Sequence, residues 1–227
     1  MNSTVDLFAQ NPVFSALPQP RHQELIDLAI PRKYQKGELV THAGDIWPYL
    51  FIVITGKLRA LKESAEGRSL IVTSFVPGDI FWGLAFFFDE MPMPVTLQAG
   101  EASEIFIWSR ERMLPFLKSE GELSWELTRL MINRMVRANE ILEEMAFQPV
   151  AGRLAKLLID TAQEESRKTI NRSLTLDEMA ARIGSTREMV CRFLHRFADE
   201  GIIDITRTEY SITNPEQLAS LAQVAKR

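Results

Sequence analysis

The sequence predicts an α+β chain: an antiparallel β-barrel or sandwich, then one long helix, then several short helices with a small hairpin. Three observations carry this. Between Tyr34 and Ser109, glycine recurs at positions 37, 44, 56, 67, 78, 83 and 100, with short β-rich runs between. From Glu122 to Ala146 there is neither glycine nor proline, and the apolar residues recur with a helical period. Beyond Pro149 that period continues in shorter segments that stop at Gly184 and Gly201. Short strands at regular spacing close into barrels or sandwiches, whereas strands followed by a run of helices give an α+β chain.

Taken in order, the first thirty residues read as a short helical lead-in, with Leu25, Ile26, Leu28 and Ala29 apolar and Pro31 ending the pattern. The runs Leu50 to Thr55, Lys57 to Leu61, Ser69 to Val76, Val95 to Ala99 and Ser103 to Trp108 have strand length and Val/Ile/Phe content. Thr55-Gly56 and Glu66-Gly67 fit hairpin turns. In the long helix, Met131, Met135, Ala138, Leu142 and Met145 recur at alternating spacings of four and three, preceded by polar Thr128. That is the seam of a coiled coil. A second line of Leu127, Leu130 and Ile141 predicts that the helix buries one face on the barrel and another on a partner helix. Gln148-Pro149 then breaks it and marks a hinge.

Ala151 to Ala162 is periodic again. Thr175 followed by Glu178 is a capping box, and Leu176, Met179, Ala180 and Ile183 give the helix behind it one apolar face. Thr186 caps the next helix, which turns Val190, Phe193, Leu194 and Phe197 inward and stops at Gly201. Ile202 to Ile205 and Glu209 to Ile212, joined by Thr206-Arg207-Thr208, form a β-wing.

Composition bounds what such a chain can do. The 227 residues are 46% hydrophobic and 25% charged, which excludes wholesale disorder. One cysteine excludes an internal disulfide and any four-cysteine zinc or iron-sulfur site. No run of apolar residues approaches the ~18 needed to span a bilayer, and the N-terminus lacks a secretory pattern, so a cytoplasmic protein with no membrane partner is expected. The net charge of −4 is an average. Residues 1–146 carry 14 basic and 19 acidic side chains, whereas residues 147–227 carry 12 and 11. The acidity therefore belongs to one end.

Two short helices joined by a Gly-containing turn make a helix-turn-helix, and the outward side chains of the second helix decide what it reads. With Val190, Phe193, Leu194 and Phe197 inward, Arg187, Glu188, Cys191, Arg192 and His195 fall on or near the opposite face. A guanidinium fork matches guanine O6 and N7, and a carboxylate accepts from cytosine N4, so Arg187, Glu188 and Arg192 are candidate base readers. Thr175, Ser185 and Thr186 are candidates for phosphate contact at helix N-termini; the alternative is that they serve only as caps.

The segment from Leu174 to Leu194, with Arg187-Glu188 followed after three residues by Arg192, resembles the winged helix-turn-helix of the CRP/FNR transcription regulators. The resemblance covers nearly the whole chain. The Gly-punctuated region resembles that family's cyclic-nucleotide-binding-type β-roll, a jelly roll, with Gly78-Asp79 at the roll's Gly-Asp. Met145-Ala146-Phe147 through Gly152-Arg153 resembles the entry to its DNA-binding domain. The resemblance implies a sensing roll over residues 1–118, a dimerisation helix and hinge over 119–147, and a winged helix-turn-helix over 148–227. It also implies double-stranded DNA, a second copy of the chain and RNA polymerase as partners, and no catalysis. Arg187, Glu188 and Arg192 match positions that read GTGA-type half-sites in the cyclic-AMP receptor branch. Cys191 stands where the FNR branch has serine, and Arg187 where that branch usually has an apolar residue.

The roll departs from the family's pattern. Gly83 stands where a Glu takes the ribose hydroxyl, and Met93-Pro94 where an Arg-Ser pair takes the phosphate, which argues against ordinary cyclic AMP as effector. The iron-sulfur route of the FNR branch fails, since the only cysteine lies in the recognition helix. Haem is left open by His22 and His42, although Trp82-Gly83-Leu84 replaces the Cys and His of a carbon-monoxide-sensing relative. Cys191 can be a thiol switch or merely a small residue near the DNA backbone. Phe81, Trp82, Phe86, Met93 and Thr96 either line a pocket for an apolar or aromatic effector or fill the roll. An effector there would act by shifting the packing of the long helix, tilting the recognition helices through the hinge. The expected function is a homodimeric regulator on a palindromic GTGA-like operator, controlled by something other than ordinary cyclic AMP. Its rivals are a haem-based gas sensor and a ligand-sensing module that meets a protein partner instead of DNA.

Overall fold

A computed structural model describes residues 4–66, 69–165, 170–171, 174–206 and 209–223. The chain divides into two compact units: residues 1–62 with 71–135, and residues 63–70 with 136–227. The division falls inside the long helix.

In the first unit, helix α1 (Thr4–Gln10), a 3-10 turn at Phe14–Ala16 and helix α2 (Gln19–Asp27) form the lead-in. Strands follow at β1 (Ile30–Tyr34), β2 (Leu39–Thr41), β3 (Tyr49–Thr55), β4 (Leu58–Glu63), β5 (Ser69–Phe75), β6 (Ile80–Trp82), β7 (Thr96–Ala99) and β8 (Ser103–Ser109). Two four-stranded sheets result, ordered β1-β8-β3-β6 and β2-β7-β4-β5. Helix α3 (Arg110–Ser119) and helix α4 (Gly121–Phe147) come next.

Side-chain alternation explains the layering. Along β3, Phe51 and Val53 join Ile105 and Ile107 of β8 in a core shared with Leu58, Ala60, Phe75 and Leu97 of the other sheet. Leu50 and Ile52, pointing the opposite way, join Phe8, Phe14, Leu25, Trp108, Met113, Leu123 and Leu127 beneath the helices. A sheet covered on both faces needs an almost unbroken apolar strand, and Tyr49–Thr55 supplies one. Trp108 ties the layers together by donating from its indole nitrogen to the Leu25 carbonyl at 2.8 Å. Asn11 is buried and accepts from the Val13 and Phe14 amides, while its own amide donates to the Gly78 carbonyl at 2.6 Å.

Several expectations need correction here. Thr55-Gly56 is no hairpin: β3 and β4 lie in different sheets, so the turn is a corner between layers. Glu66-Gly67 falls partly outside the described residues. Pro31 does not end the lead-in helix, which stops at Asp27; it sits inside β1, paired opposite Phe106. The edge position of β1 tolerates a residue without an N–H. Three strands, β1, β2 and β6, went unpredicted because each is short or poor in β-branched residues.

Helix α4 docks on the roll through Leu123 and Leu127, with Leu130 and Met131 packed against the same cluster. Beyond them Arg134 places its guanidinium over the rings of Phe75, Trp82 and Phe81, at 5.1, 5.3 and 5.6 Å, and donates to the Ile80 carbonyl. Burial pushes its pKa down, and the nearby Asp79 carboxylate pulls it partly back.

In the second unit, α4 ends at Phe147, Gln148-Pro149 interrupts the helix, and α5 (Val150–Glu165) begins. Strand β9 (Ile170–Asn171), helices α6 (Leu176–Ile183) and α7 (Arg187–Asp199), strands β10 (Ile203–Ile205) and β11 (Glu209–Ile212) and helix α8 (Pro215–Gln223) complete it. The wing has three strands, ordered β10-β11-β9. Leu154, Leu158, Met179, Ile183, Val190, Leu194, Phe197, Ile202, Tyr210 and Leu218 form one core. Neither α8 nor β9 was anticipated. Tyr210 is buried and donates to the Leu158 carbonyl at 3.0 Å, pinning the wing to α5.

Replacing Arg134 by alanine removes the cation from its three rings and the donor from Ile80. Urea unfolding of the full chain is expected to show a loss of about 1 to 3 kcal/mol. Met at this position, which keeps the aliphatic stem, should recover part of that loss.

Candidate nucleic-acid interface

The turn between α6 and α7 follows from local chemistry. Thr175 caps α6: its hydroxyl accepts from the Glu178 amide at 3.2 Å, and the Glu178 carboxylate accepts from the Thr175 amide at 2.9 Å. The helix stops at Gly184, whose φ of 59° lies in the left-handed region that glycine enters without penalty. The amides of Gly184 and Ser185 both close on the Ala180 carbonyl. A Cβ at Gly184 would sit 2.8 Å from the Met145 sulfur, the end of a flexible side chain that can shift, so it is the conformation that favours glycine. Thr186 then caps α7 by accepting from the Met189 amide at 3.4 Å.

Helix α7 buries Val190, Leu194 and Phe197 and half-buries Phe193. The opposite face leaves Arg187, Glu188, Arg192 and His195 exposed, with Cys191 between them. All three candidate base readers therefore share the solvent face. Arg187 donates from Nη1 to Oδ2 of Asp177 at 3.2 Å. Arg192 lies with Nη2 2.6 Å from the Met189 sulfur and its guanidinium 5.7 Å from the Phe193 ring centre. Cys191 Sγ and His195 Nε2 are 3.9 Å apart. The Glu188 carboxyl is held below the usual carboxylate range by its own backbone amide first, then by the Thr186 hydroxyl and the adjacent Arg187 cation.

The hydroxyls considered for phosphate contact already have work in the free protein. Thr175 donates to the Glu178 carboxylate at 3.1 Å as well as capping, and Thr186 caps α7 while helping to hold Glu188. Ser185 is half-buried in the turn. The pairing of Asp177 with Arg187 was missed from sequence. Its only signal was an acidic residue in the first turn of α6, which the helix dipole also explains.

The expected seam of α4 is divided by the structure. Met135, Ala138 and Leu142 are exposed, but Met131 packs on the roll's core and Met145 lies against Gly184. The large apolar side chains of α4 left open are Trp125 (61% exposed), Ile132 (50%), Met135 (60%), Val136 (49%), Leu142 (70%) and Phe147 (72%).

The candidate effector residues do not converge. Phe81 and Met93 belong with the inter-sheet core, whereas Phe86 is buried in the cluster beneath the helices. Trp82 stacks on Phe81 at 5.7 Å and meets Phe87 edge-on. The Thr96 hydroxyl accepts from the Ala43 amide at 3.0 Å. A Cβ at Gly83 would fall on the Trp47 carbonyl oxygen, so the backbone there has no room for any side chain. Met93 is buried, its amide donating to the Asp45 carbonyl and its carbonyl accepting from the Gly44 amide. His22 is buried, with Nε2 2.8 Å from the Phe14 carbonyl and Nδ1 unpartnered, whereas His42 is exposed at the start of a turn. Among the described residues no group of three or more His, Cys, Asp or Glu side chains is placed to hold a metal, and no helix is long and apolar enough to cross a membrane.

Residues 31–120 match the cyclic nucleotide-binding domain, and residues 152–221 match the Crp-like helix-turn-helix domain. A CRP-like cAMP-activated global transcriptional regulator of Mycobacterium tuberculosis is 28% identical over 225 residues, covering 96% of this chain and 99% of the relative. The cyclic AMP receptor protein of Thermus thermophilus is 26% identical over 184 residues, covering 79% and 84%. Among solved structures, a crp/fnr-family transcriptional regulator from Eubacterium rectale superposes with a TM-score of 0.76 at 22% identity, covering 93% of this chain and 98% of that one. The c-di-GMP responsive regulator CLP of Xanthomonas campestris superposes with a TM-score of 0.77 at 19% identity, covering 86% and 99%. Two domains of these kinds in this order define a DNA-binding transcription regulator and not an enzyme. The chain belongs to the CRP/FNR family.

The Glu188 carboxyl gives a direct check on the geometry at the start of α7. Its folded value lies below the unfolded value of about 4.3, so the associated stabilisation is complete above that pH and is lost as pH falls through the depressed folded value. A carboxyl-detected NMR titration is expected to place the Glu188 midpoint below that of an exposed reference glutamate. The Thr186→Ala variant should move it back upward.

Proposed function

We propose that the chain acts as a homodimer that reads a palindromic operator with GTGA-like half-sites through Arg187, Glu188 and Arg192. The observation that carries this reading is the shared exposed face of these three residues on α7, with an apolar face seating the helix on its own core. Two guanidinium forks and one ionised carboxylate suit a half-site rich in G·C pairs. Ser185, Thr186 and Thr175 stand at the N-termini of α6 and α7, where backbone N–H groups and the helix dipole favour a phosphate.

A second copy suits the open face of α4. Trp125, Thr128, Ile132, Met135, Asn139, Leu142 and Ala146 alternate at spacings of three and four, a heptad seam offset from the one read in the sequence. Asn139 in the middle of it would fix register at some cost in stability. Two-fold pairing then sets the recognition helices about one DNA turn, ~34 Å, apart.

The effector we propose is something other than ordinary cyclic AMP, although several relatives are named as cAMP-activated. Gly83 has no space for a ribose-binding carboxylate, and buried Met93 with Pro94 offers no cation to a phosphate. An anion buried without a partner costs several kcal/mol.

The test begins with a duplex recovered by the wild-type protein from a random-sequence pool. Arg187→Ala is expected to abolish discrimination at one guanine per half-site, at a cost of ~1 to 3 kcal/mol per half-site. Unchanged selectivity in a gel-shift competition series would remove Arg187 from the reading set. For the dimer, Met135→Asp with Leu142→Asp should halve the mass seen by light scattering and lower operator affinity by at least ~100-fold, since a monomer engages one half-site only.

A further inference from the structure

We propose that Asp177 is a specificity-determining residue of the DNA-reading face, acting by holding one end of the Arg187 guanidinium. The inference rests on the reading of Arg187 as a base-contacting residue. Asp177 is the second residue of α6 and Arg187 the first of α7, and the turn closed on Ala180 brings the two helix starts together. Oδ2 of Asp177 accepts from Nη1 of Arg187 at 3.2 Å, with both side chains exposed. Capping does not require this carboxylate, because Thr175 and Glu178 form the complete capping box. An exposed ion pair adds little to folding stability. Its consequence is for the geometry and charge of the arginine.

A guanidinium has five N–H donors in one plane, and guanine O6 and N7 together take two. With Nη1 engaged by Asp177, the edge formed by Nε and Nη2 is left for the base. A side chain already held loses less freedom on binding than one that rotates freely. The carboxylate also offsets the charge that would draw Arg187 to any phosphate, and is itself repelled by the DNA backbone. Both effects widen the gap between the correct site and the rest of the duplex. Arg192 offers the contrast: its neighbours, the Met189 sulfur and the Phe193 ring, carry no formal charge. The effect of Asp177 therefore belongs to one base position of the half-site.

The alternative role for Asp177 is that of a first-turn acid favoured by the helix dipole. Operator duplexes substituted singly at each half-site position separate the two. With full-length Asp177→Asn, discrimination at the Arg187 guanine is expected to fall about three- to fivefold. Binding to an unrelated duplex should strengthen, and discrimination elsewhere should stay unchanged. Adding Asp177→Asn to Arg187→Ala should have no further effect at that guanine. If Asp177→Asn weakens binding equally at every position together with a lower Tm, the residue is structural and the proposal is overturned. If Arg187→Ala abolishes guanine discrimination but Asp177→Asn leaves it intact, the proposal fails alone. If Arg187→Ala itself changes nothing, the base-reading assignment fails first and takes this one with it.

Discussion

The guanidinium of Arg134, seated over Phe75, Phe81 and Trp82, is the constraint from which much of the first unit follows. A cation surrounded by rings loses hydration, and here the ring faces, the Ile80 carbonyl and the nearby Asp79 carboxylate replace it. Two consequences follow for function. Phe81 and Trp82, which from sequence could either line an effector pocket or fill the roll, carry the guanidinium of Arg134. The same contact also fixes the rotation of α4 about its axis. With Leu123, Leu127 and Arg134 turned to the roll, Trp125, Ile132 and Met135 turn to solvent. The face that α4 leaves to solvent beside the roll is thus set by what the roll has already claimed.

In the second unit the comparable constraint is the turn at Gly184. The left-handed glycine, the shared Ala180 carbonyl and the cap at Thr186 fix where α7 begins, and with it which residues of α7 face outward. Arg153 supports the same turn from α5, donating to the Ile183 carbonyl at 2.8 Å and to the carbonyl of Gln148. The end of α6 and the helix break at Gln148-Pro149 are therefore bonded to one side chain. Three base-reading candidates stand on a helix whose start is determined by backbone hydrogen bonds.

Legibility followed the range of the interactions. The capping box at Thr175, the stop at Gly184 and the inward residues of α7 could be read directly, since each depends on residues within about one turn of helix. The long apolar strands β3 and β8 were equally plain. Strand β1 was hidden because Pro31 looks like a helix stop, and only its place at a sheet edge makes it a strand residue. The corner at Gly56 looked like a hairpin because local turn chemistry is the same whether the next strand pairs back or crosses to another sheet. Of the seam read on α4, Met135, Ala138 and Leu142 are open while Met131 and Met145 are covered, since periodicity reports that a helix has an apolar stripe but not which part of it a neighbour covers.

By itself, the sequence determined the class of fold, the order of its parts, the caps of the recognition helices and the residues on their outer face. It also showed that Gly83, Met93 and Pro94, in the segment after Gly78-Asp79, carry no charged side chain. Tertiary structure decided the pairing of Asp177 with Arg187, the placing of Arg134 over three rings, the division of Phe81 and Met93 from Phe86 between two cores and the face of α4 left open. The physical reason is separation along the chain. Caps and amphipathic faces arise between residues a few positions apart, whereas these other features depend on which distant side chain reaches a surface first, and in a close-packed interior only one can occupy it.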